Sequence, residues 1–286
     1  MPGLQINVAA LTDVGRVRTI NEDAYSVTDL DTDRRLEPEP GPALFEVGSR
    51  GLLLALSDGM GGHAAGEVAS ALVLESLRKA LASGPDSESV ASHVSAAVRE
   101  ANADVVRAAK EDGRNGMGAT LTAVLLRGTD AYVAEIGDSR AYVVRAGRLL
   151  QLTRDQSLVQ FLVDQGALSP EEARTSSRKN VLLQAIGQAD DVRVAIGRLA
   201  LRAGDRFLVC CDGLTNAITD AELQELLGES DPAVACRKMI DLANERGGND
   251  NLTAIVAHVS GSSLQDPGDS PTLSGTFEII QSFSGI

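Results

Sequence analysis

The 286-residue chain contains no tryptophan and few other aromatic residues, three tyrosines and five phenylalanines. Proteins that hold single-stranded nucleic acid by base stacking need more rings than this. Without tryptophan, the core must be filled by Leu, Val, Ile and Ala, as in ordinary soluble domains. Positive charge is also scarce: 26 Lys and Arg against 40 Asp and Glu leave a net charge of -14. A nucleic-acid backbone or an anionic membrane would be repelled, so neither is expected as a partner. Cysteine is limited to Cys210, Cys211 and Cys236. An adjacent pair and a distant single make neither a disulfide framework nor a zinc spacing, and reduced core residues of a cytoplasmic protein are expected. No apolar run approaches the ~20 residues of a membrane helix. The start, "MPGLQINVAALTDVG", lacks the basic-then-apolar order of a signal peptide.

What is present is organised as strands and helices in two batches. Residues 4–27 alternate and turn, which predicts two short strands with the polar segment "RTINED" between or beside them. The Pro-rich stretch "DLDTDRRLEPEPGPALFEVGSR" reads as a surface loop between strands. Helical spacing of Val68, Leu72, Leu77 and Leu81 predicts a helix over about 64–82, and a second follows in "ESVASHVSAAVREANADVVRAAKED", closed by Gly113. The strands "GATLTAVLLR", "AYVAEIGDS" and "RAYVVRAGRLLQLT" come next and are expected to be antiparallel neighbours, because their connections are short. Residues 155–187 read as a helical insertion outside the sheet, with a helix start at Ser169–Glu172. Beyond it come "VRVAIGRLAL", "DRFLVCC", helices opened by Thr219 and by Asp231–Pro232, and the strand "LTAIVAHV". The domain is expected over 1–260, with a flexible tail over 261–286.

Acidic residues recur at the strand boundaries. "LLLALSDGM" ends a strand at Asp58–Gly59, "RFLVCCDGL" ends another at Asp212–Gly213, and "AYVAEIGDS" stops at Asp138. Glu22 and Asp23 sit where one strand starts, and Asp250 where another does. In an antiparallel sheet the start of one strand lies beside the end of its neighbour, so these acids can meet at one rim. A lone Asp-Gly reads as a turn; two matched instances with acids at three further strand boundaries do not. Such carboxylates repel unless a cation lies between them, and Arg16, Arg18 and Arg140 are too few to neutralise them. Mg²⁺ or Mn²⁺, which prefer oxygen ligands, fit better than zinc. Two such ions would activate a water and clamp a phosphoryl group. A phosphate-cradling reading of "GMGGH" fails because no Lys-Ser/Thr follows.

In "RTINEDAY", "SDGMGGHAAGEVAS", "GATLTAVLL", "IGDSRAYVVRAGRLLQLTRDQSLV", "CDGLTNAITDAEL" and "GGNDNLTAIV", taken in order over about residues 8–259, the chain closely resembles the bacterial metal-dependent Ser/Thr phosphatases of the protein phosphatase 2C (PPM) family. The resemblance implies an α+β fold, a four-layer αββα sandwich of two antiparallel sheets flanked by helix pairs with a helical flap. It also implies a centre of two Mn²⁺ or Mg²⁺ ions at one rim and a weaker third site. By position, Asp58 and the Gly59 carbonyl would hold the metals, Asp23 would act through water, and Asp212 and Asp250 would serve the second ion. Asp138 would join Asp212 at the third, and Glu22 and Asn251 would stand in the outer shell. Arg18 matches the residue that grips the substrate phosphate. The implied partners are phosphorylated proteins and their Ser/Thr kinases, with a monomeric enzyme.

Three departures from the family pattern stand out. Met60 replaces a histidine that acts as general acid in some members, leaving His63 as the nearest alternative. "DQS" at 155–157 replaces "DHS", and "SSRKN" at 176–180 replaces a "HPxRN"-like stretch. Cys211 has no "CxxxxxR" loop around it and is expected to pack rather than attack.

Overall fold

Gln5–Asp13 and Asp23–Asp29, the two alternating segments at the start of the chain, form β1 and β2. The computed structural model describes residues 3–36, 41–61, 65–83, 89–110, 116–266 and 277–283. Along the chain follow β3 (Ala43–Glu46), β4 (Leu52–Met60), α1 (Ala65–Ser83), α2 (Val90–Ala109), β5 (Gly118–Ala119), β6 (Leu121–Arg127), β7 (Asp130–Ile136), β8 (Arg140–Arg145) and β9 (Arg148–Gln151). The rest comprises α3 (Leu158–Asp164), α4 (Pro170–Thr175), β10 (Ala195–Ala200), β11 (Arg206–Cys210), α5 (Asp212–Thr215), α6 (Asp220–Leu226), α7 (Pro232–Glu245), β12 (Leu252–Ser260) and β13 (Phe277–Gln281).

One six-stranded sheet has the order β3-β1-β12-β11-β8-β9 and the other, seven-stranded, the order β13-β10-β7-β6-β4-β2 with β5 paired to β4 off that path. Every named pair is antiparallel. Between the sheets lie Leu54, Leu56, Val143, Phe207, Val209 and Ile255. Helices α1 and α2 cover the outer face of the seven-stranded sheet, where Leu77 and Val98 meet Leu53, Ala55 and Leu125. Helices α6 and α7 cover the six-stranded sheet through Leu223, Met239 and Ile240. This is the expected αββα sandwich. It explains why β4 is apolar without alternation: Leu53 faces helices, Leu52 and Leu54 face the other sheet, and all are fully buried. Each such leucine contributes about 1.5–3 kcal/mol.

The two sequence batches are not the two sheets. β1 pairs with β12 from the far end of the chain, and β10 pairs with β7. Strands β7 and β8, expected as neighbours from their three-residue connection, lie in different sheets. That short connection carries the chain from one layer to the other. The loop expected over 29–50 contains a strand, β3, which pairs with the edge of β1 and buries Phe45; four residues are too few for periodicity to reveal. β4 does not stop at Asp58 but runs on to Met60, where it pairs with β5.

Both predicted capping boxes form, Ser169 with Glu172 and Thr219 with Glu222, and Pro170 and Pro232 occupy first-turn positions. Helices α3 and α4 lie in the expected insertion, whose two ends are tied down by the bridges Ser157↔Leu182 and Ala119↔Ile186. The tail is corrected in part: Phe277–Gln281 pairs with β10 as an edge strand.

Candidate active site

Antiparallel register sets Asp23 of β2 directly opposite Asp58 of β4. On its other side Asp58 is held by Thr120: the Asp58 N–H donates to Thr120 Oγ1 at 3.0 Å, and its carbonyl accepts from the Thr120 N–H at 2.8 Å. Asp138 sits in the crossing from β7 to β8, Asp212 opens α5 directly after β11, and Asp250 precedes β12. Five separate segments thus deliver acids to one end of the sandwich.

These residues line a cleft of about 380 Å³ that includes Arg18, Glu22, Asp58, Gly59, Asp138, Asp212, Asp250 and Asn251, with Asn180 and Leu182 from the insertion. Asp23 lies behind the cleft wall, 9% exposed. Its Oδ2 accepts from Thr253 Oγ1 at 2.6 Å, whereas its buried Oδ1 has no partner. Asn251 staples the "RTINED" loop to this rim. Its Oδ1 accepts from the Glu22 N–H at 2.9 Å, and its Nδ2 donates to the carbonyls of Val14 and Ile20, both at 3.0 Å.

Gly59 has a steric reason that its sequence context did not disclose. A Cβ there would collide with the Gly66 carbonyl at the start of α1 and crowd the Glu22 carbonyl. Gly213 is matched in this respect, since a Cβ would strike the Asn251 carbonyl. Each Asp-Gly pair therefore lets the segment bearing another polar site residue pack against the strand-end acid.

The electrostatics are those of acids crowded together in a buried place. Burial pushes the Asp23 carboxyl up to about 6, with Asp212 and Asp250 adding to the shift against the Thr253 and Cys211 hydrogen bonds. Burial, then the negative charge of Asp250, raises Asp212 to about 6. Asp58 and Asp138 are held well above the usual carboxylate range, by burial first and by neighbouring aspartates second. Glu22 is also raised by burial. Ionised together, these groups need positive charge between them.

The donor set fits a hard divalent cation: carboxylates, an unpartnered buried carboxylate oxygen and backbone carbonyls, with no histidine among the described residues of the cleft lining. Among the described residues, no three His, Cys, Asp or Glu side chains converge into a closed ligand shell. A cation that retains several waters needs few direct protein ligands, so an open, acid-lined cleft suits Mg²⁺ or Mn²⁺ better than a zinc cage.

Arg18 reaches the mouth of the cleft half exposed and donates from Nη2 to Asp250 Oδ2 at 3.0 Å, an ion pair that raises its own pKa. Cys211 is buried, its thiol pushed well above the normal range by burial. The N–H of Thr253 donates to its sulfur at 3.1 Å, and the thiol donates to the Asn251 carbonyl at 3.3 Å. It packs, as expected. His63 lies outside the described residues.

Four residues escaped the sequence reading: Thr120 and Thr253, which hold Asp58 and Asp23, and Asn216 and Lys179. Asn216 Nδ2 donates to Asp212 Oδ2 at 3.1 Å, and Lys179 Nζ donates to Asn216 Oδ1 at 3.1 Å while its charge acts to lower the Asp212 pKa. Only Lys179 carried a signal, the basic patch "RTSSRKN". The threonines are indistinguishable in sequence from strand threonines elsewhere.

A family model described as protein phosphatase 2C matches residues 43–257. The chain is 38% identical over 257 residues to the serine/threonine protein phosphatase PstP of Mycobacterium tuberculosis (strain H37Rv), covering 90% of this chain and 45% of that protein. It therefore spans about half the length of that relative. With the serine/threonine phosphatase stp of Listeria monocytogenes (strain EGD-e) it shares 33% identity over 250 residues, 86% of this chain and 92% of that one. The solved catalytic domain of PstP in complex with 2 manganese ions superposes with a TM-score of 0.74 at 37% identity, covering 90% of this chain and 99% of that one. Stp1 from Staphylococcus aureus superposes with a TM-score of 0.78 at 30% identity, covering 89% and 95%. Shared motifs, shared layers and a family match over most of its length lead to one conclusion: the chain belongs to the protein phosphatase 2C family, whose relatives named above are serine/threonine phosphatases.

Proposed function

We propose that this chain hydrolyses phosphoserine and phosphothreonine on proteins at a binuclear Mn²⁺ or Mg²⁺ centre in the acidic cleft, opposing a Ser/Thr kinase. The observation that carries this reading is the register that sets Asp23 opposite Asp58, with Asp138, Asp212 and Asp250 around the same cleft. When bound, the metal pair would supply Lewis acidity to the phosphoryl oxygens and lower the pKa of a water. Asp58 is assigned to both ions, the Gly59 carbonyl to a further ligand position, Asp212 and Asp250 to the second ion, Asp23 to an indirect contact through water, and Asp138 with Asp212 to a weaker third site. Glu22 and Asn251 orient this set from behind. Arg18 is assigned to the substrate phosphate, since its planar guanidinium can leave one carboxylate oxygen for a dianionic ester at the exposed cleft mouth.

The catalytic unit is assigned to 1–260 and the flap to about 155–187, acting as a monomer. The flap contributes Asn180 and Leu182 to the cleft wall. A cytoplasmic setting is supported by three buried, unpaired cysteines, and no described helix is long and apolar enough to cross a membrane. A binding-only role is not favoured, because every position assigned to metal carries an oxygen donor. The test is hydrolysis of a phosphothreonine peptide by purified protein with Mn²⁺ and with a chelator. Turnover is expected only with the metal. No turnover with saturating Mn²⁺, in protein that still binds phosphopeptide, would overturn the reading.

A further inference from the structure

Three of the five phenylalanines of this chain, Phe161, Phe277 and Phe283, line one cavity of about 380 Å³ that shares no lining residue with the acidic cleft. The insertion contributes α3, the seven-stranded sheet contributes β7 and β10, strand β13 supplies the Phe277 ring, and Phe283 follows just beyond that strand. Phe277 is seated by the absence of a side chain at Gly197, where any Cβ would collide with its ring.

Glu135 of β7 lines the same cavity and is 3% exposed. Its Oε2 accepts from the Arg154 N–H at 2.9 Å, but its buried Oε1 has no partner. The other acids nearby are already neutralised. Asp164 is paired in a fork with Arg154, and Asp155 accepts from Arg140 at 2.8 and 2.7 Å. Glu135 is thus the acid on this wall without a cation, and burial holds its carboxyl well above the usual range. A buried carboxylate oxygen lacking a donor is costly, and aromatic rings attract cations over their faces.

We propose that this cavity binds an organic cation, an alkylammonium or trimethylammonium group received among Phe161, Phe277 and Phe283 and neutralised by Glu135. A cavity of this size holds a small molecule or the end of one long side chain. The cation stands at the base of the flap: Gln156 Nε2 donates to the Glu135 carbonyl at 3.1 Å, and Gln156 Oε1 accepts from the Gly137 N–H at 3.0 Å. Phosphate esters are excluded as occupants because a second negative charge would face Glu135 unpaired.

The full chain is titrated calorimetrically with choline and with its neutral isostere 3,3-dimethylbutanol. Choline is expected to bind at least about tenfold more tightly, and Glu135→Gln and Phe161→Ala are each expected to weaken it at least about tenfold. Thermal unfolding of each variant verifies that it is folded, and Phe161→Ala carries the test if Glu135→Gln perturbs packing. A parallel titration with a peptide bearing trimethyllysine separates sources: binding of choline alone assigns a free small molecule, and binding of both assigns a site open to a protein side chain. Equal affinity for choline and the isostere, unchanged affinity in the variants, or no binding of either cation up to about 50 mM would overturn the proposal.

Discussion

Asp23 and Asp58 are cross-strand partners, two carboxylates placed face to face by the register of β2 and β4. Like charges at directly opposed positions destabilise a sheet. The leucine-rich strand nevertheless fixes this register, because a one-residue slip would turn Leu54 and Leu56 away from the inter-sheet core. Core packing therefore holds the acids together against their repulsion, which a bound cation would relieve.

Replacing Asp58 or Asp212 by Asn removes one of the crowded charges without changing shape. Turnover on a phosphothreonine peptide is expected to fall at least about 100-fold. The melting temperature in chelator should stay level or rise. Near-normal rates at saturating Mn²⁺ would count against the ligand assignment.

The pH dependence of stability follows from the raised acids. Burial holds the Asp23 and Asp212 carboxyls up at about 6 in the folded chain, above their ordinary value of 3.8. Between those values the folded state holds protons that the unfolded state has released, so these groups cost stability increasingly as pH rises from about 4 to above 6. Glu75, held down to about 2 first by its hydrogen bond from Arg78, acts in the opposite sense, but equally with and without metal. The difference in melting temperature between Mn²⁺ and chelator isolates the cleft. It is expected to be small at pH 4 and at least about 5 °C at pH 7. A pH-independent difference would refute this account.

Gly59→Ala would drive a methyl group into the Gly66 carbonyl, and Gly213→Ala would drive one into that of Asn251. Each is expected to cost about 1–3 kcal/mol in urea unfolding and to weaken Mn²⁺ binding. Wild-type stability in both variants would mean that these close approaches are not required.

Arg18→Ala should act on substrate rather than on the fold, since its Asp250 ion pair is half exposed and contributes at most about 1 kcal/mol. KM for the phosphopeptide is expected to rise about tenfold or more with a smaller change in kcat. A change confined to kcat would reassign the residue.

Asp205 is fully buried and accepts from Arg145 Nε and Nη2, both at 2.7 Å. Asp205→Ala is expected to cost about 3–5 kcal/mol by removing the carboxylate that faces the buried Arg145 guanidinium. Chemical denaturation measures it, and a cost under about 1 kcal/mol would show that solvent reaches the pair.

By itself the sequence determined the elements whose causes are local. Alternation marked β1 and β2, capping residues marked α4, α6 and α7, and the acids at strand boundaries named the residues that share the cleft. Local signals of this kind survive in one dimension because propensity and capping act over a few residues. Tertiary structure alone decided which strands are neighbours. The three residues between β7 and β8 look like a hairpin turn, yet they cross between sheets, because both faces of each strand must be covered and only the assembled layers provide that cover. The same holds for Thr120 and Thr253, whose hydroxyls acquire a role only when β4 and β2 lie beside them, and for Phe277, docked on the strand containing Gly197 from 80 residues away in the chain. Long-range pairing is set by the free energy of the whole packed core, which no short window of sequence contains.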